Sequence, residues 1–178
     1  MRKLWMLSTG LLLVACTSKS PDNNTGSPMA AGKDTLSYAY KATYSSDISV
    51  PGNQEYAQKV LLVWKAFEMN QITAKRSFFA DTITYNDAGG MHFYGPADSL
   101  LAFAQRETNG LDSLRFDISS WTSSHVNDKN EDWVNIWSTE RSYPKKGGHA
   151  DTILMQENWK VKDGKIVYFD QYTSKLPK

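Results

Sequence analysis

The sequence has few of the residues and motifs on which several protein classes depend. It contains one cysteine in 178 residues, so no disulfide can form within the chain. The formal net charge is +1, without the basic excess typical of nucleic-acid-binding proteins, so no nucleic-acid partner is predicted. The histidines at 92, 125 and 149 are scattered and form no HxH or HExxH spacing, so no metal site is predicted. No glycine-rich phosphate loop or nucleophile elbow is present, and the sequence predicts no cofactor.

The single cysteine lies in a distinctive N-terminal segment. Arg2 and Lys3 precede an apolar run, 4–15, that is too short to span a membrane. The residues LVAC at 13–16 resemble the lipobox of bacterial lipoproteins, in which the peptide is cut before the cysteine and the cysteine is acylated. This resemblance implies lipidation of Cys16 and anchoring in the cell envelope, with Thr17 and Ser18 fitting the outer membrane by analogy. The alternative is an ordinary signal peptide that contains a cysteine.

Composition divides the chain into four parts. Residues 1–15 are the predicted lipoprotein signal peptide, and 16–34, which are polar and contain Ser, Pro, Asn and Gly, predict a flexible tether. Residues 35–52 are rich in Tyr, Thr and Ser and predict an N-terminal arm or an edge strand. Residues 53–178 predict one domain that is large enough for a hydrophobic core.

The domain begins with helical patterns and ends with strand patterns. Helices are predicted at 54–70, with Asn53 as N-cap, at 72–79, and from Pro96 to about 106. A short hairpin is predicted at 81–94, and long strands at 114–125 and 133–143 precede a last hairpin at 151–175. This order predicts an α+β fold with helices on one face of a curved antiparallel sheet, which leaves a conical pocket.

The last hairpin has the strongest turn signal in the chain. Asp163-Gly164 is typical of a two-residue turn because both positions accept positive φ. A regular ladder then predicts these facing pairs: Val161 with Ile166, Trp159 with Tyr168, Glu157 with Asp170, and Met155 with Tyr172. Because alternate side chains share a face, two carboxylates would oppose each other on an aromatic surface.

This predicted carboxylate pair is the catalytic candidate. Two carboxylates in an apolar pocket cannot both ionise easily, so Glu157 and Asp170 would supply a proton donor beside a base. In this interpretation Tyr85 or Tyr172 would polarise the substrate. Alternatively, the face points to water, or Arg141 or a tyrosine hydroxyl neutralises the carboxylates in a structural network.

Aromatic residues, 12% of the chain, supply the candidate ligand-binding surface. Tryptophan and tyrosine line pockets, but they are also enriched in cores and at interfaces. The aromatic residues predicted to line a pocket for a small hydrophobic ligand are Trp64, Tyr85, Trp121, Trp137, Trp159, Tyr168 and Tyr172. The alternative is a core or a homodimer interface on the outer sheet face, including Val167 and Phe169.

Several short motifs, in this order and spacing, resemble the SnoaL-like branch of the nuclear transport factor 2-like superfamily. They are Trp64 and Phe67 in the first helix, FFAD at 78–81, DAGG at 87–90, YGPA at 94–97 and NWKVKDGKIV at 158–167. The likeness covers about 53–173 and implies a curved sheet with three helices.

The superfamily includes isomerases, dehydratases, cyclases and non-catalytic members, so the resemblance leaves function open. In the cyclases an acid in the last strand acts as general acid or base, and Asp170 lies near that position. The histidine that accompanies this acid has no counterpart here. Three functions are therefore considered: binding of a small apolar molecule, acid–base catalysis by Glu157 or Asp170, and homodimeric protein interaction.

Overall fold

A computed structural model describes residues 39–145 and 147–176 of the chain. Its elements, in chain order, are β1 (Ile48–Ser49), α1 (Gln54–Glu68), a 3₁₀ helix (Ile72–Phe78), β2 (Phe79–Asp87), β3 (His92–Pro96), α2 (Ala97–Asn109), β4 (Leu111–Val126), β5 (Glu131–Pro144), β6 (Asp151–Lys162) and β7 (Lys165–Lys175). The predicted signal peptide, Cys16 and the predicted tether lie outside the described residues. Within the described part, no helix is long and apolar enough to cross a membrane.

The seven strands form one curved, unclosed sheet in the order β1-β4-β5-β6-β7-β2-β3. Neighbouring strands are antiparallel except β2 and β7, which are parallel. This parallel contact arises because the chain leaves β2, forms β3, α2 and the three long strands, and returns beside β2 only with β7. The α+β prediction is confirmed, and the sheet is mixed at this one junction.

The helices form where their capping residues and apolar spacing predict them. Asn53 caps α1, since its side-chain oxygen accepts a hydrogen bond from the backbone N–H of Glu55 at 2.9 Å. Pro96 precedes α2, where its fixed φ suits a helix start and its missing N–H costs nothing. The second predicted helix is a 3₁₀ helix, after which Phe79 enters β2. Of the described part of the predicted arm, 39–52, only Ile48–Ser49 is a strand, and it pairs with the end of β4.

The turn of the last hairpin is as predicted. Asp163 has a φ of 50° and Gly164 a φ of 73°, the left-handed values that a two-residue turn requires. Val161 faces Ile166, which confirms the first predicted pair.

One residue beyond that pair, the predicted register is wrong. A β-bulge leaves Val167 as an extra residue on β7, and Lys160 faces Tyr168. The pairs that follow are Trp159 with Phe169, Asn158 with Asp170, Glu157 with Gln171, Gln156 with Tyr172, and Met155 with Thr173. Glu157 and Asp170 therefore do not oppose each other, contrary to the sequence prediction.

The bulge separates the two carboxylates onto opposite faces of the sheet. We call the face that packs against the helices the inner face and the opposite one the outer face. Glu157, Phe169 and Gln171 lie on the inner face, whereas Asp170 lies on the outer face. A shift of one residue exchanges every side chain between faces, since the side-chain period of a strand is two.

The hydrophobic core lies between the inner face and the helices. Its largest fully buried side chains come from α1, β2, β5, β6 and β7: Val60, Ile83, Val134, Ile136, Val161 and Ile166. Trp64, Phe79 and Trp159 complete the buried cluster with their larger rings. Beside α2 the core contains a cavity, and the candidate site lies there.

Candidate functional site

A cavity of about 150 Å³ lies between α1, α2 and the inner face of the sheet. Most of its lining is aliphatic or aromatic. The lining residues are Val63, Trp64, Phe67, Ile72, Phe79, Tyr85, Leu100, Leu101, Phe103, Ala104, Glu107, Phe116, Met155, Glu157, Trp159, Phe169 and Gln171. Phe103 and Glu107 are exposed members of this lining, which places the opening beside α2.

Glu157 is the buried ionisable acid of this cavity. Only 5% of the residue is exposed, and its Oε2 accepts a hydrogen bond from Trp159 Nε1 at 2.8 Å. Burial raises the pKa of Glu157 to about 8 because the charged form is poorly solvated. The indole N–H groups of Trp159 and Trp64 lower this pKa, while the carboxylates of Glu140 and Asp170 raise it. At neutral pH the carboxyl is therefore mainly protonated.

The indole N–H of Trp64 is a hydrogen-bond donor without a partner near the Glu157 carboxyl. Trp64 is 5% exposed, and its buried Nε1–H has no hydrogen-bond partner among the described residues. The N–H nevertheless lies close enough to the Glu157 carboxyl to lower its pKa. A buried N–H without an acceptor costs about 1 to 3 kcal/mol, so an acceptor supplied to this position would be stabilising.

Tyr85 and Gln171 form the second polar group of the cavity. The Tyr85 hydroxyl donates to Gln171 Oε1 at 2.9 Å, and Gln171 Nε2 lies 3.9 Å from Met155 Sδ. Burial raises the pKa of Tyr85, with the charges of Asp87 and Glu157 adding to the effect. The hydroxyl therefore stays protonated, with its hydrogen held by Gln171.

Stacked rings form much of the cavity wall. Trp159 and Phe169 lie parallel, with ring centroids 4.2 Å apart and an interplanar angle of 9°. Tyr85 lies 4.5 Å from Phe169, and Trp64 meets Phe116 edge-on at 4.5 Å. These contacts hold the rings in place, so the cavity is largely formed before any ligand enters.

Four of the predicted site residues meet in this cavity: Trp64, Tyr85, Glu157 and Trp159. Trp121 lies elsewhere on the inner side, in a shallow groove with Leu61 and Phe116, and is half exposed. Trp137, Tyr168, Asp170 and Tyr172 lie on the outer face, so they cannot share a pocket with the first four.

Asp170 belongs to a row of hydrogen bonds across the outer face. Asn158 Nδ2 donates to its Oδ1 at 2.6 Å, and the Tyr168 hydroxyl donates to its Oδ2 at 3.0 Å. Asn135 extends the row on β5 by donating to Asn158, and Asn86 extends it on β2 by donating to Tyr168. The alternative in which a tyrosine hydroxyl satisfies a carboxylate within a structural network is thus realised at Asp170. Arg141 instead pairs with Asp117.

The sequence prediction missed Phe169 and Gln171 as cavity residues. The regular ladder predicted from the sequence places both on the side opposite Glu157, because they alternate with Asp170. The prediction that Phe169 belongs to the outer face is wrong, since its ring stacks on the buried Trp159. Phe116 was also missed, although its place among alternating residues of β4 is a detectable signal.

The histidines lie away from the cavity. His92 Nδ1 is 2.6 Å from Asn86 Oδ1 at one end of the outer-face row, and His125 Nδ1 is 3.0 Å from Asp132 Oδ1. Across residues 39–145 and 147–176, no three His, Cys, Asp or Glu side chains come together as potential metal ligands.

Comparison with known proteins identifies the fold. No family model and no curated protein matches the sequence. An LEH-like epoxide hydrolase from M. tuberculosis superimposes with a TM-score of 0.57 at 15% identity, covering 68% of this chain and 84% of that one. A scytalone dehydratase-like protein from Novosphingobium aromaticivorans gives a TM-score of 0.58 at 13% identity, covering 68% and 83%. An NTF2-like protein of unknown function from Burkholderia pseudomallei gives 0.54 at 16% identity, covering 66% and 89%.

The chain therefore has a nuclear transport factor 2-like fold, which confirms the fold that the sequence motifs implied. At these identities the likeness establishes architecture alone, and function has to be argued from the cavity.

Proposed function

We propose that this domain binds a small, largely apolar molecule in the inner cavity. The observation that carries the proposal is a preformed cavity of about 150 Å³ whose wall is aromatic and aliphatic and whose depth holds one buried carboxyl group. A cavity of about this volume lined by apolar side chains accommodates benzene in another protein, so a ligand of about six to eight non-hydrogen atoms fits.

A pair of alanines on α2 provides the test. Ala104 lines the cavity, whereas Ala102 is exposed on the same helix and does not line it. Fluorobenzene is a suitable probe, and ¹⁹F NMR would report its saturable binding to the full chain. Ala104→Leu is expected to weaken binding at least tenfold by filling the space, and Ala102→Leu is expected to leave it unchanged. Equal binding by both variants, or none by the parent protein, would reject the proposal.

The setting of this function is also a proposal. The lipobox-like residues before Cys16 support an exported domain that is held in the cell envelope by acyl chains on that cysteine. Each buried methylene contributes about 0.8 kcal/mol, so several acyl chains would anchor the domain stably. Mass spectrometry of the mature N-terminal peptide from the native host would show acylated Cys16, and an unmodified Cys16 would contradict the proposal.

Acid–base catalysis is a second candidate, favoured by the pKa of about 8 at Glu157. A carboxyl that titrates near neutral pH can both accept and donate a proton during turnover. Asp170 lies on the other face, so this proposal rests on Glu157 with Tyr85 as the neighbouring hydroxyl. In a screen of small ketones and epoxides, turnover abolished by Glu157→Gln but retained by Asp170→Asn would support it. Turnover that survives Glu157→Gln would rule it out.

Homodimerisation is a third candidate, favoured by three exposed apolar side chains on the outer face, Trp137, Leu154 and Tyr172. Sedimentation velocity is expected to show a dimer that Trp137→Glu dissociates. A parent protein that stays monomeric at high concentration would exclude this function.

A further inference from the structure

The charged residues that line the cavity are all acidic. Its lining contains two carboxylic acids, Glu157 in the depth and Glu107 at the opening, and no Lys, Arg or His among the described residues. Glu140, on β5, adds a third nearby acid whose field acts on Glu157. Because no described basic residue lines the cavity, a positive charge that pairs with Glu157 would have to come from the ligand.

The aromatic walls favour the same kind of ligand. Rings of Trp64, Phe116, Trp159 and Phe169 surround the space next to Glu157. Aromatic faces carry negative electrostatic potential, and they bind ammonium groups whose charge is spread over methyl groups. Such a cation satisfies an aromatic wall and a carboxylate at once, which a neutral hydrocarbon cannot do.

The unpartnered N–H of Trp64 is explained in the same way. Its Nε1–H is buried without an acceptor, while Glu157 accepts one hydrogen bond, from Trp159. An ionised carboxylate offers about four lone-pair sites, so it can accept from both indoles. A bound cation that keeps Glu157 ionised would make this carboxylate a stronger acceptor for the Trp64 N–H, which already lies close enough to lower the pKa of Glu157.

We propose that the ligand of this cavity is a small organic cation, an alkylated ammonium group of up to about eight non-hydrogen atoms, with Glu157 as its counter-ion. This inference rests on the proposed ligand-binding function and names the chemical class of the ligand.

Binding of a permanently charged cation is then coupled to loss of one proton. In the empty cavity Glu157 is mainly protonated below pH 8, so cation binding at lower pH must displace its proton. Affinity should rise about tenfold per pH unit up to about pH 8 and level off above it. Trp64 on α1, Tyr85 on β2 and Glu107 on α2 line the cavity together with Glu157. The charges of Glu140 on β5 and of Asp170, on the opposite face of β7, also raise the pKa of Glu157.

A control variant is needed to show that Glu140 is not the group whose titration governs cation binding. Burial raises its pKa as well, and the Asp151 carboxylate adds to this effect. Glu140→Gln is expected to retain the pH dependence of cation binding, because its carboxyl is not part of the cavity lining. Loss of the dependence in this variant would reassign the titration and overturn the role given to Glu157.

The decisive comparison uses choline and 3,3-dimethylbutan-1-ol, which have the same shape but a quaternary nitrogen in one and a carbon in the other. Calorimetry on the full chain at pH 9 is expected to show choline binding at least tenfold more tightly. From pH 9 to pH 6, choline affinity should fall about a hundredfold while the alcohol is unaffected. Glu157→Gln should abolish both the preference and its pH dependence, and its urea unfolding transition shows whether the variant is folded.

The outcomes separate this inference from the function on which it rests. If fluorobenzene binds but choline binds no better than the alcohol at pH 9, the cation inference is wrong and the ligand-binding function stands. If neither choline nor fluorobenzene binds, both are wrong. Should Glu157→Gln fail to fold, the pH series on the unmodified protein still decides, since only a cation paired with an ionising group gives that slope.

Discussion

The carboxyl groups on the two faces of the sheet lie in opposite environments. Glu157, on the inner face, accepts one hydrogen bond and is buried among rings, so its pKa is raised to about 8. Asp170, on the outer face, accepts hydrogen bonds from Asn158 and Tyr168 within a row of polar side chains. One carboxyl is held in a poorly solvated cavity, and the other is built into a satisfied network.

This contrast depends on the register of β7 against β6. The two acids would share a face if the hairpin were regular, and the Val167 bulge separates them. A buried pair of opposed carboxylates would have to suppress the ionisation of at least one member. Because of the bulge, only one of the two acids lies in the cavity. The part of the inner face that lines the cavity therefore has a single proton-binding carboxyl that a ligand can contact.

The largest expected effect is a difference in the stability lost when a tryptophan on each face is replaced by alanine. Trp159 is 4% exposed on the inner face, and Trp137, one strand away on the outer face, is 36% exposed. Trp159→Ala should destabilise the protein by about 5 kcal/mol, because a large cavity forms and Glu157 loses its donor. Trp137→Ala should cost less than about 2 kcal/mol. Urea unfolding of both variants measures the difference, and equal losses would contradict the assignment of the two faces.

Local signals in the sequence were sufficient for most of the fold. Asn53 marks the start of α1, Pro96 that of α2, and Asp163-Gly164 the last turn, and each lies where the structure needs its backbone conformation. These signals depend on hydrogen bonds and φ values within a few residues. Of the site, Trp64, Tyr85, Glu157 and Trp159 were selected because aromatic residues and an acid recur on helix and strand faces that point to the core.

The face of β7 could not be predicted from its local pattern. Ile166, Val167, Tyr168 and Phe169 are all compatible with a strand, and no glycine marks the bulge. Tertiary packing selects the bulged register over the regular one, since the choice depends on which ring fits against Trp159 in the core. One signal was present, because the regular register placed two carboxylates opposite each other on a core-facing ribbon. Such a conflict is a reason to test a bulged register.

The second expected effect is a pH-dependent stability difference between the protein and Glu157→Gln. The ordinary pKa of a glutamate is 4.5 and that of folded Glu157 about 8, so between these values the folded protein holds a proton that the unfolded chain lacks. The contribution of Glu157 to stability is thus greatest below pH 4.5, falls as pH rises, and is lost above pH 8. Glu157→Gln should be about as stable as the parent protein at pH 5 and about 4 kcal/mol more stable at pH 9.

Thermal or urea unfolding of both proteins across this range provides the measurement. Glu107→Gln makes the same chemical change at the exposed opening of the cavity and should alter stability by less than about 0.5 kcal/mol at either pH. A difference between Glu157→Gln and the parent protein that is constant from pH 5 to pH 9 would show that the Glu157 carboxyl is not buried as described.

The smallest expected effect comes from deleting Val167, the bulged residue of β7. Without it, Lys160 still faces Tyr168 and Trp159 still faces Phe169 in a regular ladder, because the deleted residue has no partner on β6. The deletion should therefore cost only the partial burial of one valine side chain, about 1 kcal/mol, and leave Tyr172 on the outer face. Thiol labelling tests the facing directly when Tyr172→Cys is placed in a Cys16→Ser background with and without the deletion. Tyr172 is 52% exposed, so rapid labelling is expected in both proteins. Protection of the thiol only in the deletion variant would show that β7 has rotated, and that the register depends on Val167 and not on the packing of Phe169 against Trp159.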